Sequence, residues 1–410
     1  MALLLDKRGH EIQITDDVVE AAAENEDSGQ QIMVLLLDKR GDEILITKSM
    51  VAMIVGRFDH AVVGQLLDKR GDEIQITDDV VKAAAANEDS GQKIMALLLD
   101  KRGHEIQVTD DVVEAAAANE DSGQEIMALL LDKRGHEIQI TDDVVKAAAG
   151  NEDSGQEIMA LLLDKRGHEI LITKSMVAMI VGRFDHAVVD QLLDKRGDEI
   201  QITDDVVKAA AGNWRSGQEI MALLLDKRGH EIRITDDVVK AAAGNRRSGQ
   251  KIMALLLDKR GHEIQITDDV VEAAAGNEDS GQEIMALLLD KRGHEILITR
   301  SMVAMIIGRF DHAVVGQLLD KRGHEIRITG DVVKAAAGNR RSGQEIMALL
   351  LDKRGDEILI TKSMVAMIVG RFDHAVVGQL LDKRGHEIQI TDDVVKAAAG
   401  NWRSGQEIMA

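Results

Sequence analysis

Ser122-Gly-Gln-Glu-Ile-Met-Ala-Leu-Leu-Leu-Asp-Lys-Arg-Gly135, followed by His136-Glu-Ile-Gln-Ile-Thr141, is the stretch whose reading decides the fold. Its tail, Leu-Leu-Asp-Lys-Arg-Gly, occurs thirteen times in the 410 residues. The glycines fall at Gly9, Gly41, Gly71, Gly103, Gly135, Gly167, Gly197, Gly229, Gly261, Gly293, Gly323, Gly355 and Gly385, always 30 or 32 residues apart. A fixed period of that size is the mark of a stacked repeat array, in which each unit buries its apolar face against its neighbours.

Working outward from Gly103 gives one repeat. Asp100-Lys101-Arg102 places two cations where they oppose a helix dipole, and a following glycine is suited to a left-handed stop. In His104-Glu-Ile-Gln-Val-Thr109, Ile106 and Val108 alternate with polar residues, which predicts a short extended piece with two inward anchors. Such pieces are not expected to pair into a sheet. Stacked helix pairs advance by roughly 10 Å, whereas paired strands need about 4.8 Å.

Thr109 suits an N-cap, with Asp110 and Asp111 at the positive end of the first helix. Val112, Val113, Ala115, Ala116 and Ala117 form its apolar side, small enough for a neighbouring helix to approach closely. The helix ends near Asn119, and Asn119-Glu-Asp-Ser122 is a loop. Ser122 with Glu125 three residues on reads as a capping box opening the second helix. Ile126, Met127, Leu129, Leu130 and Leu131 make that helix apolar around most of its circumference, as in the middle layer of a stack. Both helices are at or below the ~12–15 residues that an isolated helix needs, so neighbours must stabilise them.

Nine repeats have this long form, and four, after Gly41, Gly167, Gly293 and Gly355, have 30 residues. In the short form the inter-helix loop loses two residues and Asp59 takes over the capping role. Phe58, Phe184, Phe310 and Phe372, the only phenylalanines, sit in these loops as larger plugs. The short form recurs after 126 residues twice and then after 62, as though a four-repeat block had been copied and partly lost. The expected architecture is therefore an all-α solenoid of about twelve helix-turn-helix repeats, a single continuous array over 1–410 with boundaries at the thirteen glycines.

The second-helix segment resembles that of an ankyrin repeat. The first helix, Thr-Asp-Asp-Val-Val-Lys-Ala-Ala-Ala-Gly-Asn, stands where ankyrin has Thr-Pro-Leu-His, without its Pro and His. The Gly-Ala-Asp hairpin of ankyrin is missing as well. The chain is more similar to the ankyrin-like helical arrays at the C-terminal end of fungal NOD-like (NACHT-type) receptors. That resemblance implies a sensing or partner-binding array. A nucleotide-binding domain is not part of this chain, since no Gly-x-x-x-x-Gly-Lys-Ser/Thr run occurs in it.

Composition narrows the function. A net charge of −22 argues against general nucleic-acid binding and against anionic membranes. The chain has no cysteine, hence no disulfide or thiolate site, and no apolar run approaching a membrane span. An intracellular, cytoplasmic protein is the expectation. Catalysis is not expected, because every candidate residue recurs in equivalent settings, whereas an active site needs a convergent, asymmetric constellation. No metal or cofactor is expected either. Nine histidines follow the repeat glycine, one per repeat (His10, with Asp42 as the alternative), too far apart for a tetrahedral site. His60, His186, His312 and His374 read as helix-start residues.

The near-identical copies differ most at the pair between Asn and Ser of the long-repeat loop. It is Glu26-Asp27, Glu88-Asp89, Glu120-Asp121, Glu152-Asp153 and Glu278-Asp279 in five copies, Arg246-Arg247 and Arg340-Arg341 in two, and Trp214-Arg215 and Trp402-Arg403 in two. Both tryptophans of the chain are here. Trp and Arg are the residues most enriched in binding hot spots. The pairs therefore form a candidate stripe for recognising a protein partner, mainly acidic early in the chain and mainly basic later. A tolerant surface loop that drifts freely is the alternative. Lesser variable columns are Gln13/Leu45/Arg233 and Glu20/Lys82. The chain starts and stops inside second helices, at Met1-Ala-Leu-Leu-Leu5 and Gln406-Glu-Ile-Met-Ala410. That reads as a trimmed or engineered stretch of a longer array, with head-to-tail self-association through unfinished ends as the structural alternative.

Overall fold

The computed structural model describes residues 7–25 and 27–410, and the chain divides into two compact units, 1–201 and 202–410. In both, the alternation of short apolar anchors, an Ala-rich helix and a Leu-rich helix produces the same repeat. In the first unit a three-residue 3-10 turn, Gly103–Glu105, leads through an extended segment into the first (A) helix, Asp110–Ala118. The second (B) helix is Gly123–Arg134. In the second unit the matching elements are Gly229–Glu231, Asp236–Gly244 and Gly249–Arg260. Short repeats have an A helix such as Lys48–Arg57 and a B helix such as His60–Arg70. The described residues contain no strand.

Within each unit, A helices pack on A helices and B on B. Asp78–Ala86, Asp110–Ala118 and Asp142–Gly150 form one such row in the first unit, and Asp204–Gly212, Asp236–Gly244 and Asp268–Gly276 one in the second. This is an α-solenoid, as the period predicts. The core is aliphatic: Val112, Val113, Ala116, Ile126, Met127 and Leu130 are fully buried. Ile106 and Val108 are the expected inward anchors. The four phenylalanines, at the ends of the short-repeat A helices, are buried.

Two sequence expectations about helix ends are corrected. The repeat glycine is not left-handed: Gly103 has φ −54° and ψ −30°, and no described residue has a positive φ. The bend sits at Arg102 (φ −136°, ψ 23°), and the chain continues into the 3-10 turn, closed by Ile106 N–H on the Gly103 carbonyl at 3.3 Å. Nothing lies within 4 Å of where a Gly103 Cβ would be, so the structure shows no need for glycine there. Arg102 explains the ending. Its guanidinium reaches back one repeat to the carbonyls of Gly71 and, at 3.2 Å, Ile74, and pairs with Glu105. Arg134 does the same to Gly103 at 2.7 Å, and Arg260 to Gly229 at 2.9 Å and Ile232 at 3.0 Å. The cation therefore ties neighbouring repeats together as well as opposing its own helix dipole.

The expected capping box is not formed either. Ser122 makes no side-chain cap bond; its hydroxyl faces the Asn119 Oδ1 at 3.5 Å, and that same oxygen accepts the Ser122 N–H, which Glu125 would have taken, at 2.8 Å. Thr109 has N-cap backbone geometry but no cap bond, and its hydroxyl is buried without a partner. Threonine caps do form in the short repeats, as from Met50 N–H to Thr47 at 3.1 Å, and in some long ones, as from Val144 N–H to Thr141 at 3.3 Å. Asp59 caps the short B helix as expected, accepting from Ala61 and Val62 at 3.0 Å.

The Lys/Glu column of the A helix has a physical meaning. Where Lys is present and the next repeat is long, it bridges to that repeat, as in Lys82–Asp111 (3.0 Å), Lys208–Asp237 (2.9 Å) and Lys240–Asp269 (2.9 Å). The Asp111 and Asp269 carboxylates hold the Lys82 and Lys240 ammonium pKa values above their ordinary value.

Candidate interaction surface

The variable pair of each long loop stands directly after an asparagine, which is buried in all but the first, Asn25. Asn87, Asn119 and Asn151 in the first unit, and Asn245, Asn277, Asn339 and Asn401 in the second, are all buried. Each amide spends both ends. Asn119 Nδ2 donates to the carbonyls of Ala85 (2.9 Å) and Asn87 (3.1 Å) in the preceding repeat, while Oδ1 accepts from Ser122 N–H. Asn151 repeats this on Ala117 and Asn119, and Asn245 on Ala211 and Asn213. Beside short repeats the acceptors become Val55 and Phe58, for Asn87. The short loop is in turn held by the preceding repeat, Asp59 N–H donating to Gln30 at 3.1 Å.

Glycine after the serine completes the frame. A Cβ on Gly155 would lie 2.0 Å from the Ala148 carbonyl oxygen, so the B helix starts against the A-helix backbone, an approach only glycine allows. The loop backbone is thus fixed from three sides, and the two residues between Asn and Ser project outward.

All the sequence-predicted site residues that are described are exposed: Asp27, Glu88, Asp89, Glu120, Asp121, Glu152, Asp153, Trp214, Arg215, Arg246, Arg247, Glu278, Asp279, Arg340, Arg341, Trp402 and Arg403. Glu26 lies outside the described residues. None of these charges takes part in an ion pair among the described residues. The structure brings together Trp214, Arg215 and Arg247. The two guanidinium carbons lie 4.6 Å and 5.7 Å from the centre of the Trp214 ring, and they come from neighbouring repeats. Arg403 covers Trp402 at 4.7 Å in the same way, but no cation–π contact joins Trp402 to Arg340 or Arg341 among the described residues.

The Trp and Arg loops have one further difference. Asn Oδ1 accepts a second backbone bond there, from Arg215 (2.8 Å), Arg247 (3.1 Å), Arg341 (2.9 Å) and Arg403 (3.0 Å). Sequence reasoning located the variable pair and passed over the asparagine that positions it. The signal was present: all nine long repeats keep Asn immediately before their most variable positions.

A family model described as Domain of unknown function (DUF7104) matches residues 3–33, 35–52, 66–95, 97–127, 129–159, 161–178, 192–221, 223–253, 255–285, 287–304, 318–347, 349–366 and 380–409. The chain belongs to the DUF7104 family. The DUF7104 matches skip 53–65, 179–191, 305–317 and 367–379, the stretches around the shortened loops and their phenylalanines. No curated protein matches the chain. Among solved structures, the crystal structure of a pentatricopeptide repeat protein from maize is similar at 13% identity and a TM-score of 0.31. That alignment covers 100% of this chain and 60% of the maize chain, so this chain spans less than two thirds of that protein. No helix of the described residues is long and apolar enough to cross a membrane, and no cluster of three or more metal-ligating side chains occurs among them.

Proposed function

We propose that this DUF7104 chain is a non-catalytic scaffold that recognises protein partners through the paired residues of its long-repeat loops. One observation carries the reading. A buried asparagine holds the same loop backbone in each long repeat described within the stacks, while the two side chains it presents to solvent change from Glu-Asp to Arg-Arg or Trp-Arg. A constant frame with exchangeable contacts is how repeat arrays vary specificity without changing fold. Trp214 between two guanidiniums supplies the aromatic and Arg anchors typical of hot spots. The same reading extends the likeness to the arrays of fungal NOD-like receptors to a sensing role inside the cell.

The experiment is to screen the full chain against a displayed random-peptide library, beside a variant carrying Arg246→Glu, Arg247→Asp, Arg340→Glu and Arg341→Asp. The expected result is a set of acidic peptides selected by the parent and lost by the variant, with unchanged circular dichroism. An identical selection by both proteins would overturn the proposal.

A further inference from the structure

We infer that the basic loops 214–215 and 246–247 take the acidic loops of a second copy of this chain as their partner. The inference rests on the loop-recognition reading above and names its ligand.

Two stripes of opposite sign exist on one sequence. In the first unit three consecutive long loops carry Glu88-Asp89, Glu120-Asp121 and Glu152-Asp153, all exposed and in no ion pair among the described residues. In the second unit two consecutive long loops carry Trp214-Arg215 and Arg246-Arg247, equally exposed and unpaired. Most other cations of the frame are occupied: the B-helix arginines with the Glu three residues on, and Lys82, Lys208 and Lys240 with the next A helix.

The two stripes also have the same pitch, and the structure shows why. Neighbouring loops are joined directly by the asparagine ladder. Asn119 donates to Asn87 O at 3.1 Å and Asn151 to Asn119 O at 2.8 Å. In the basic stripe Asn245 donates to Asn213 O at 3.0 Å. Loops linked by the same bond across the same 32-residue step advance by the same distance. One acidic loop set against one basic loop therefore places the next pair in register, whichever way the second copy runs. Each guanidinium meets a carboxylate it can engage in a forked pair. The Trp214 ring, held between Arg215 and Arg247, provides the apolar centre from which water is excluded. The net charge of −22 does not prevent this, because at physiological salt charges beyond about 8 Å are largely screened and the local loops decide the contact.

The test is sedimentation of the full chain over a concentration series at low and high salt, with two charge-changed forms. The all-basic form carries Glu88→Arg, Asp89→Arg, Glu120→Arg, Asp121→Arg, Glu152→Arg and Asp153→Arg. The all-acidic form carries Arg215→Glu, Arg246→Glu and Arg247→Asp. The parent should associate, at least tenfold more weakly in high salt. Each form alone should stay monomeric, and a mixture of the two should associate again. Recovery on mixing also excludes misfolding as the cause of the loss. Association that persists in high salt or in either form alone would overturn the inference. So would a parent that is monomeric throughout. In that last case binding of an alternating Glu-Asp peptide, lost in the all-acidic form, leaves loop recognition standing, and absence of such binding removes both.

Discussion

The Asn119 side chain donates a hydrogen bond to the main-chain carbonyl of Asn87, 32 residues earlier and 3.1 Å away. The same amide also donates to Ala85 O at 2.9 Å. Replacing Asn119 by alanine removes the side-chain partner of the Ala85 carbonyl and of the Ser122 N–H, and leaves the Asn87 carbonyl with the Gly91 N–H at 2.9 Å. A buried group left unsatisfied costs about 1–3 kcal/mol. In an array stabilised by nearest-neighbour interfaces the loss should be local. Hydrogen exchange should show faster exchange in helices Asp78–Ala86 to Gly123–Arg134 and little change in the helices around Asn277. Uniform protection in Asn119→Ala would show that the ladder does not couple the repeats.

The two classes of glycine should respond oppositely to alanine. Gly155→Ala puts a Cβ 2.0 Å from Ala148 O, a backbone atom with nowhere to move, and overpacking of this kind costs about 1–3 kcal/mol. Gly135 has open space around its Cβ position and φ −54°, so Gly135→Ala should be neutral or stabilising by about 0.4–1 kcal/mol through the unfolded chain. Thermal unfolding of the two variants measures the contrast. A strongly destabilised Gly135→Ala would restore the left-handed helix stop that the sequence led one to expect.

These residues also show what was legible in advance and what was not. The period, the helix pair, the inward Ile106 and Val108, the buried Phe58 and the exposed loop pair all follow from local patterning, because burial within a repeat repeats with its chemistry. Asn119, Arg102 and Gly155 escaped for one reason. Their roles lie on groups of the neighbouring repeat or on the facing A-helix backbone, so the local sequence shows only a loop residue, a helix-end cation and a small residue. The Ser122–Glu125 box failed in the same way: Asn119, whose amide is anchored on the preceding repeat, accepts the Ser122 N–H that Glu125 would have taken. Of the candidate site, the exposed residues could be read. The Trp214–Arg247 contact, which crosses repeats, could not.

Acid should loosen the array at the junctions between long repeats. Burial pushes the Glu137 carboxyl up. The Val108 N–H at 3.0 Å and the Arg134 guanidinium outweigh that and hold it below its ordinary value. Glu263 is held down in the same manner by Ile234 N–H and Arg260. A carboxyl whose folded pKa is depressed contributes stability that is fully present above its unfolded value, about 4.3, and is lost as pH falls through the folded value. The melting temperature of the parent should therefore drop as pH is lowered from 6 through the carboxylate range. The double variant Glu137→Gln, Glu263→Gln should melt lower at pH 7 and lose less on acidification, since two of the linked protons are gone. Scanning calorimetry of both proteins across that range decides the matter. Parallel curves would mean that the Arg134–Glu137–Val108 junction contributes nothing that depends on ionisation.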